Sequence, residues 1–293
     1  MKISILTATY NRANLLPQLY KSLKDNLNCK VDFEWLIMDD GSTDETKKIV
    51  EQFIDEKLVD IKYFYQENQG KMSAINNLVP KANGDLIIEC DSDDFFTEDA
   101  FEVIKEEYEK NKDEKDIYAL CFLKYDTSGK NMGRDFKKEK STMFDLYFKE
   151  GEDGEKALVY FSDIRKKYKY KLEHNEKFVT EARLHHEMDL NYNILCVNKA
   201  IMICEYQQEG YSKNIIEQFK KNPYGYYEYF KEILERDFSG VKFNKRVYVI
   251  KHYILFSYLT KKYQSETIKN VLNKLLYYLL LIPGKIKSKK IDK

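Results

Sequence analysis

The stretch WLIMDDGSTDETKKIVEQFI, residues 35–54, decides the fold. Trp35–Met38 is a continuous apolar run of strand length. Asp39 and Asp40 follow, Gly41 turns the chain, and Asp44–Ile54 carries apolar residues at helical spacing. A strand apolar on both faces belongs in a parallel sheet covered by helices on both sides. Ser42 with Glu45 three positions on reads as a capping box for the helix. The same alternation extends outward. Ile3–Thr7, Ile61–Tyr65, Leu86–Ile88 and Ile117–Leu123 read as strands. Leu15–Leu27, Met72–Val79 (closed by Pro80) and Thr97–Tyr108 (capped by Thr97) read as helices. The expected class is α/β, with a Rossmann-like, mostly parallel sheet flanked by helices.

Residues 124–155 are polar, charged and weakly periodic, and read as a mobile or irregular connection. Order returns with a strand near Ala157–Phe161, a helix near Glu181–Leu190, and two strands, Ile194–Val197 and Ile201–Glu205. Beyond Gly210 the pattern is helical to the end.

At roughly 150 residues per domain, 293 residues allow one large domain or two small ones. Lys and Arg number 49, as do Asp and Glu, which disfavours a nucleic-acid binder held by bulk positive charge. A mean hydropathy of −0.63 excludes a polytopic membrane protein. Five scattered cysteines with no Cys-x-x-Cys point away from disulfides and zinc, and toward a reducing cytosol. The opening MKISILTATYNR lacks the long apolar centre of a secretory leader. The zero net charge hides an asymmetry. Residues 241–293 hold 13 basic and 2 acidic groups, leaving 36 against 47 for residues 1–240. A cationic segment on an acidic body points to an anionic surface partner.

Ligands of open α/β sheets bind outside the carboxyl ends of the strands, and there the polar residues gather. Four strand ends carry Thr7–Tyr10, Asp39–Asp40, Gln66–Asn68, and Asp91 with Asp93 and Asp94. Two adjacent carboxylates after a buried strand repel and need a compensating partner, such as the N–H of a base. Three carboxylates in Asp91-Ser92-Asp93-Asp94 are costly without a cation, and Mg²⁺ or Mn²⁺ commonly bridges such groups to a diphosphate. Against this stands a solvated acidic turn capping the next helix. Lys71, after a glycine turn at a helix start, suits phosphate. Tyr10 and Arg12 suit a base and a phosphate.

Together these residues resemble the family-2 glycosyltransferases. The resemblance rests on Thr7-Ala8-Thr9-Tyr10-Asn11-Arg12, Asp39-Asp40-Gly41-Ser42-Thr43-Asp44, Asn68-Gln69-Gly70-Lys71 with Ala74 and Asn76, and Gly84-Asp85 leading to Asp91-Ser92-Asp93-Asp94, in order and spacing over residues 1–110. It implies a GT-A fold with a nucleotide-sugar half (1–124), an acceptor half (125–210) and a helical, basic C-terminal extension (211–293). It implies a UDP-sugar donor, Mn²⁺ or Mg²⁺, and inversion at the anomeric carbon. Thr7, Tyr10, Arg12, Asp39, Asp40, Lys71, Asp91 and Ser92 would hold the nucleotide sugar, with Asp39 on the uracil N3–H and Tyr10 stacked near the base. Asp91 and Asp93 would hold the metal. Glu176–Glu181, Ile203–Tyr206 and Gly210–Asn214 look like a bacterial surface-polysaccharide branch, in which the carboxylate opening the acceptor-side helix, here Glu181, is the base. Glu187 and Asp189 are its rivals. His185 and His186 read as acceptor-cleft or surface residues rather than metal ligands. Tyr224, Tyr226, Tyr227 and Tyr229 are packing residues or line an acceptor groove.

Other classes fare worse. A processive synthase of this resemblance needs Gln-x-x-Arg-Trp on the acceptor side, but the single tryptophan is Trp35. A Rossmann oxidoreductase needs Gly-x-Gly-x-x-Gly after the first strand, which is absent. A non-catalytic nucleotide-sugar-binding module would keep Asp39 and lose the metal carboxylates. The acceptor expected is a growing glycan or lipid-linked oligosaccharide. Leu275–Ile282 is an eight-residue apolar run, too short to cross a bilayer; Pro283-Gly284 is expected to end its helix, and lysines follow. This segment reads as peripheral contact with the anionic inner face of the cell membrane, or as a helix packed on the body.

Overall fold

The computed structural model describes residues 1–205, 215–262 and 268–291, the last ten by backbone alone. The resemblance at Tyr206 and Gly210–Asn214 lies outside the described residues, as do Asp292 and Lys293. The chain divides into two compact units. The first comprises Met1–Met143, Glu152–Lys169 and Met188–Gln207; the second comprises Phe144–Gly151, Tyr170–Glu187 and Gln208–Lys293. These units cut across the expected breaks at 124 and 210. The physical reason is aromatic: Phe144, Phe148 and Phe178 pack into the core made by the later helices.

Among its described residues the first unit holds one sheet of nine strands: β1 (Lys2–Thr9), β2 (Asp32–Asp39), β3 (Asp60–Tyr65), β4 (Leu86–Glu89), β5 (Asp94–Phe96), β6 (Ile117–Asp126), β7 (Lys140–Ser141), β8 (Lys156–Phe161) and β9 (Asn193–Cys204). The order is β3-β2-β1-β4-β8-β6-β9-β5, with β7 on β9. Pairings among β1–β4 are parallel, as is β6 with β9; β8, β5 and β7 run antiparallel to their neighbours. Helices α1 (Leu16–Asp25), α2 (Thr46–Asp55), α3 (Lys71–Leu78) and α4 (Ala100–Asn111) follow the successive strands, so the α/β expectation is met. Trp35 on β2 is fully buried, and Tyr20 of α1 stacks on Phe53 of α2 with ring centroids 4.1 Å apart.

Several local expectations are corrected. Helix α2 starts at Thr46, and Asp44 Oδ1 accepts from the Thr46 amide and hydroxyl, so Ser42 and Glu45 form no capping box. Thr97 does not cap α4; its hydroxyl bonds Asp99 Oδ1 and its amide bonds Ile201 O. The two strands expected at 194–205 are one strand. Its pairing with β6 shifts register around Val197 and Ala200, where exposed Asn198 exchanges two hydrogen bonds with the Phe136 backbone. The bulge absorbs the polar Asn198-Lys199 that reads as a break in the pattern. Segment 124–155 is structured: it finishes β6, contributes β7, and forms a short helix α5 (Met143–Asp145) continued by a π-turn over Leu146–Glu150.

The second unit is built from that π-turn, α7 (Glu181–Met188), α8 (Ile215–Lys221), α9 (Pro223–Leu234), α10 (Phe243–Thr260) and α11 (Val271–Ile291); α6 (Ser162–Arg165) belongs to the first. Helix α11 runs on through Pro283, contrary to expectation. A proline removes one N–H and crowds the preceding turn but keeps φ helical, so the helix can continue past a missing bond. Tyr226 and Tyr227 are buried in this unit's core and Tyr229 packs against it, so these three do not form a groove. His185 and His186 are buried rather than at the surface. The His186 ring lies among Phe144, Phe148 and Tyr229, and burial lowers its pKa well below the usual range, keeping it neutral.

At the amino ends of the strands, buried Glu34 ties three of them together. Its Oε1 accepts from Ser4 Oγ (2.6 Å) and Asn83 N (2.7 Å), and its Oε2 from Lys62 Nζ (2.6 Å) and Lys2 Nζ (3.2 Å). Burial pushes its pKa up, but these donors outweigh burial and hold it down at about 2, from 4.5. A depressed carboxylate pKa contributes stability that is fully present above the unfolded value and is lost as pH falls toward the folded one. We therefore expect Glu34→Gln to cost about 1–3 kcal/mol at neutral pH. In urea melts the gap between wild type and variant should narrow as pH drops from 4.5 toward 2. A pH-independent gap would remove the ionised Glu34 from the account.

Candidate active site

The carboxyl ends of β1, β2, β3 and β4 share one edge of the first unit. Asp39 closes β2, Asp40 follows it, and both are almost wholly buried. Asp40 Oδ1 accepts from Gln66 Nε2 (2.7 Å) and Gln69 N (2.8 Å), and Oδ2 from Gly70 N (2.7 Å). Asn68 Nδ2 adds a bond to the Asp40 carbonyl. Both Asp40 oxygens are thus committed to the turn that precedes α3, and Asp40 shapes the site rather than lining it. The turn needs Gly70, whose φ is +93°. Gly41 has φ +88°, and a Cβ there would stand 3.0 Å from Asn68 N.

Asp39 Oδ1 accepts from Ser42 N (2.7 Å) and Oδ2 from the Tyr63 hydroxyl (2.6 Å). Burial first, and then the Asp39 charge, push the Tyr63 phenol well above its usual pKa, so it stays a donor. Asp39 is 1% exposed. For a base N–H to reach it, Tyr63 must share the oxygen or move aside. The β1–α1 loop is stitched to the same turn: Asn11 N donates to Ser42 Oγ, Asn11 Oδ1 accepts from Thr43 N, and Ala13 N donates to Asp44 Oδ2. Tyr10 beside it is 48% exposed, as a stacking platform requires. Thr7 is a correction: it is fully buried and its hydroxyl accepts the Trp35 indole N–H (2.9 Å), so its side chain belongs to the core.

The acidic turn sits between β4 and β5. The sequence pattern misses β5 because three residues carry no periodicity; it is defined only by pairing with β9, Asp94 against Cys204. Asp94 N bonds Asp91 O (3.1 Å), closing the turn around buried Ser92. Each carboxylate is then treated differently. Asp91 pairs with Lys71 Nζ, at 2.6 Å from Oδ1 and 2.8 Å from Oδ2. Asp94 is buried against Lys124 Nζ at 2.6 Å, with Glu155 3.6 Å from the same nitrogen. Burial pushes the Asp94 pKa up against the pull of Lys124. Lys124, a residue that the sequence reading does not single out, stays charged because Asp94 and Glu155 outweigh its burial. Asp93 accepts no side-chain hydrogen bond among the described residues. Burial, then Asp91 and Asp94, raise its pKa to about 6, with the Arg12 guanidinium opposing.

A divalent cation fits this turn. It carries more negative charge than its protein neighbours neutralise, and the residual charge lies on half-buried Asp93. Among the described residues no three His, Cys, Asp or Glu side chains converge on one point. Asp93 and Asp91 would therefore be the protein ligands, and phosphate oxygens and water would complete the shell.

Of the base candidates, Glu181 opens α7 and is exposed, in the second unit. Glu187 pairs with Lys171 at 2.8 Å. Asp189, in the first unit, accepts at Oδ1 from the Tyr118 hydroxyl (3.1 Å) and Met143 N (3.2 Å).

The chain is similar to known proteins in sequence and in fold. A glycosyltransferase of Mycoplasma pneumoniae is 33% identical over 150 residues, 47% of this chain and 50% of that protein. The poly(ribitol-phosphate) beta-N-acetylglucosaminyltransferase TarS of Staphylococcus aureus is 29% identical over 99 residues, 34% of this chain and 17% of TarS. The chain thus spans half or less of the curated relatives it matches. Among solved structures, S. aureus TarS 1–349 in complex with UDP-GlcNAc superposes with a TM-score of 0.61 at 18% identity, covering 100% of this chain and 89% of that one. The mannosyltransferase PcManGT of Pyrobaculum calidifontis, in complex with GDP-Man and Mn²⁺, gives 0.57 at 12%, covering 99% and 84%. The fold is the GT-A type of these enzymes. Residues 4–176 match the glycosyl transferase family 2 domain, and the chain belongs to that family.

Proposed function

We propose that this glycosyltransferase moves a sugar from a nucleoside-diphosphate donor, UDP by preference, to a hydroxyl of a growing glycan or lipid-linked oligosaccharide, with inversion. The observation that carries the reading is the Asp91–Asp94 turn. Asp91 is held by Lys71 and Asp94 by Lys124, which leaves Asp93, hydrogen-bonded only to backbone, as the one turn carboxylate among the described residues without a side-chain hydrogen bond or ion pair. That asymmetry suits a bound cation and diphosphate. UDP-GlcNAc and UDP occupy TarS structures, which supports a uridine donor. The poly(ribitol-phosphate) named for TarS supports a polymeric acceptor, and the acceptor proposed is a cell-surface polysaccharide of capsule, exopolysaccharide or lipopolysaccharide type. A lipid-linked acceptor would place the work at the cytoplasmic face of the membrane.

In this reading Tyr10 stacks on the base, Asp39 accepts its N–H, and Arg12 and Lys71 balance the diphosphate. Bound Mn²⁺ or Mg²⁺ would supply charge stabilisation to the leaving diphosphate. Glu181 takes the proton of the acceptor hydroxyl as its oxygen bonds the anomeric carbon, and the bond from that carbon to the diphosphate oxygen breaks with its electrons on the leaving group. Attack from the opposite face inverts the centre.

Two experiments test the reading. Calorimetry should show UDP binding that strengthens with Mn²⁺ or Mg²⁺. Asp93→Ala should lose that gain and abolish UDP release from a UDP-sugar. Metal-independent UDP affinity together with an active Asp93→Ala protein would defeat the metal assignment, and metal-dependent binding with no transfer to any acceptor would favour a nucleotide-sugar-binding module. Separately, Glu181→Gln should lower kcat by roughly 10²–10⁴-fold, the usual worth of a general base, with UDP binding nearly unchanged. Normal turnover in Glu181→Gln, with loss in Glu187→Gln or Asp189→Asn, moves the base to that residue.

A further inference from the structure

Helix α11 has two apolar faces, and the second unit needs only one. On the inner face Asn273 and Tyr277 are buried, and Leu276, Leu280 and Leu281 pack against the unit's aromatic core. The rotation of the helix is fixed. Arg246 of α10 donates to Asn270 Oδ1 (3.5 Å) and to Asn273 Oδ1 (3.1 Å). Asn270 Oδ1 also accepts from Asn273 N at 3.1 Å, capping the helix start. The opposite face then points outward. It consists of Val271 (84% exposed), Leu272 (44%), Leu275 (58%), Tyr278 (55%) and Leu279 (65%). At 100° per residue these five fall within an arc of about 120°, a continuous apolar stripe.

A stripe of this kind on a soluble surface marks a partner, and charge identifies which. The 21 residues of α11 include five lysines, Lys274, Lys285, Lys287, Lys289 and Lys290, and no acidic residue. The last 53 residues carry 13 basic groups against 2 acidic ones. A second copy docking through the same face would bring two such cationic segments together. A bilayer of anionic lipid instead satisfies both features, taking the apolar side chains at the headgroup boundary and the lysines on its phosphates. No helix among the described residues is long and apolar enough to cross a membrane, so α11 would lie in the interface plane. We infer that the outer face of α11 is a docking surface for an anionic lipid bilayer.

The inference goes beyond the sugar-transfer reading and needs no substrate to test. Full-length protein is sedimented with vesicles of phosphatidylglycerol and phosphatidylcholine, and with phosphatidylcholine alone. We expect binding to the anionic vesicles that weakens as salt rises. The double variant Leu275→Glu with Leu279→Glu should lower partition at least about tenfold, with the thermal melt and UDP affinity unchanged. Reversal of Lys285, Lys287 and Lys289 to Glu should do the same without touching the apolar stripe. No vesicle binding by wild type, equal binding to neutral vesicles, or wild-type partition in both variants would overturn the inference. So would light scattering that shows a wild-type dimer dissociated by the leucine variant, because the occupant would then be a second copy. A chain that binds vesicles yet transfers no sugar would leave this surface standing and remove only the proposed activity.

Discussion

The edge of the first unit depends on two adjacent carboxylates at the end of β2. A buried carboxylate without donors is costly by several kcal/mol, and Asp39 and Asp40 are both buried. The loops resolve this by bringing amide and hydroxyl donors inward. Asp40 gathers Gln66, Gln69 and Gly70; Asp39 gathers Ser42 and Tyr63. Each bond fixes a loop, and each loop places a side chain. The Gln69–Gly70 amides set the start of α3 and so the position of Lys71. The Asp39–Ser42 turn receives Asn11 and thereby orders the segment carrying Tyr10 and Arg12. The compensation that the sequence reading sought in a ligand comes, for Asp40, wholly from the protein.

The acidic turn after β4 follows another electrostatic plan. Asp94 is neutralised from behind by Lys124, beside part-exposed Glu155 and buried Cys204. Asp91 is held by Lys71. Pairing two of three carboxylates leaves the third without a side-chain counter-ion, and burial first, then the Asp91 and Asp94 charges, raise the pKa of Asp93. A buried pair such as Lys124 with Asp94 gives little net stability on general grounds; here it occupies Asp94 and leaves Asp93 as the turn carboxylate without a side-chain partner among the described residues.

The second unit solves a packing problem with aromatic residues. Tyr226 stacks on Phe256 with centroids 5.0 Å apart, Phe230 lies 5.7 Å from Phe256, and His186 is enclosed by Phe144, Phe148 and Tyr229. Glu176 secures the start of α9 by accepting from Tyr224 N and Gly225 N, both at 2.7 Å. Arg183, buried on α7, bridges Glu173 and Glu232. These contacts join the 170–187 segment to the later helices and hold the helix that Glu181 opens.

By itself the sequence determined the elements whose periodicity is local. The apolar runs of β1, β2 and β4 could be read because burial on both faces leaves a continuous apolar signature, and edge strand β3, only half-buried, shows in its aromatic run Tyr63–Tyr65; the helices between them and the polar residues at the strand ends follow from the same local pattern. It also determined the family, through the order and spacing of Asp39-Asp40, Asn68–Lys71 and Asp91–Asp94. Only the tertiary structure decided what depends on distant partners. Strand β5 exists because β9 pairs with it, and β9 is one strand because Asn198 bonds the Phe136 backbone across the bulge. Thr7 went to the core because Trp35 supplies its donor, Asp40 went to the loop because three donors converge on it, and Lys124 joined the site from 30 residues beyond Asp94. Hydrogen bonds and ion pairs between residues far apart in the chain leave no periodic trace, so whether a polar side chain serves a ligand or its own protein is settled by folding.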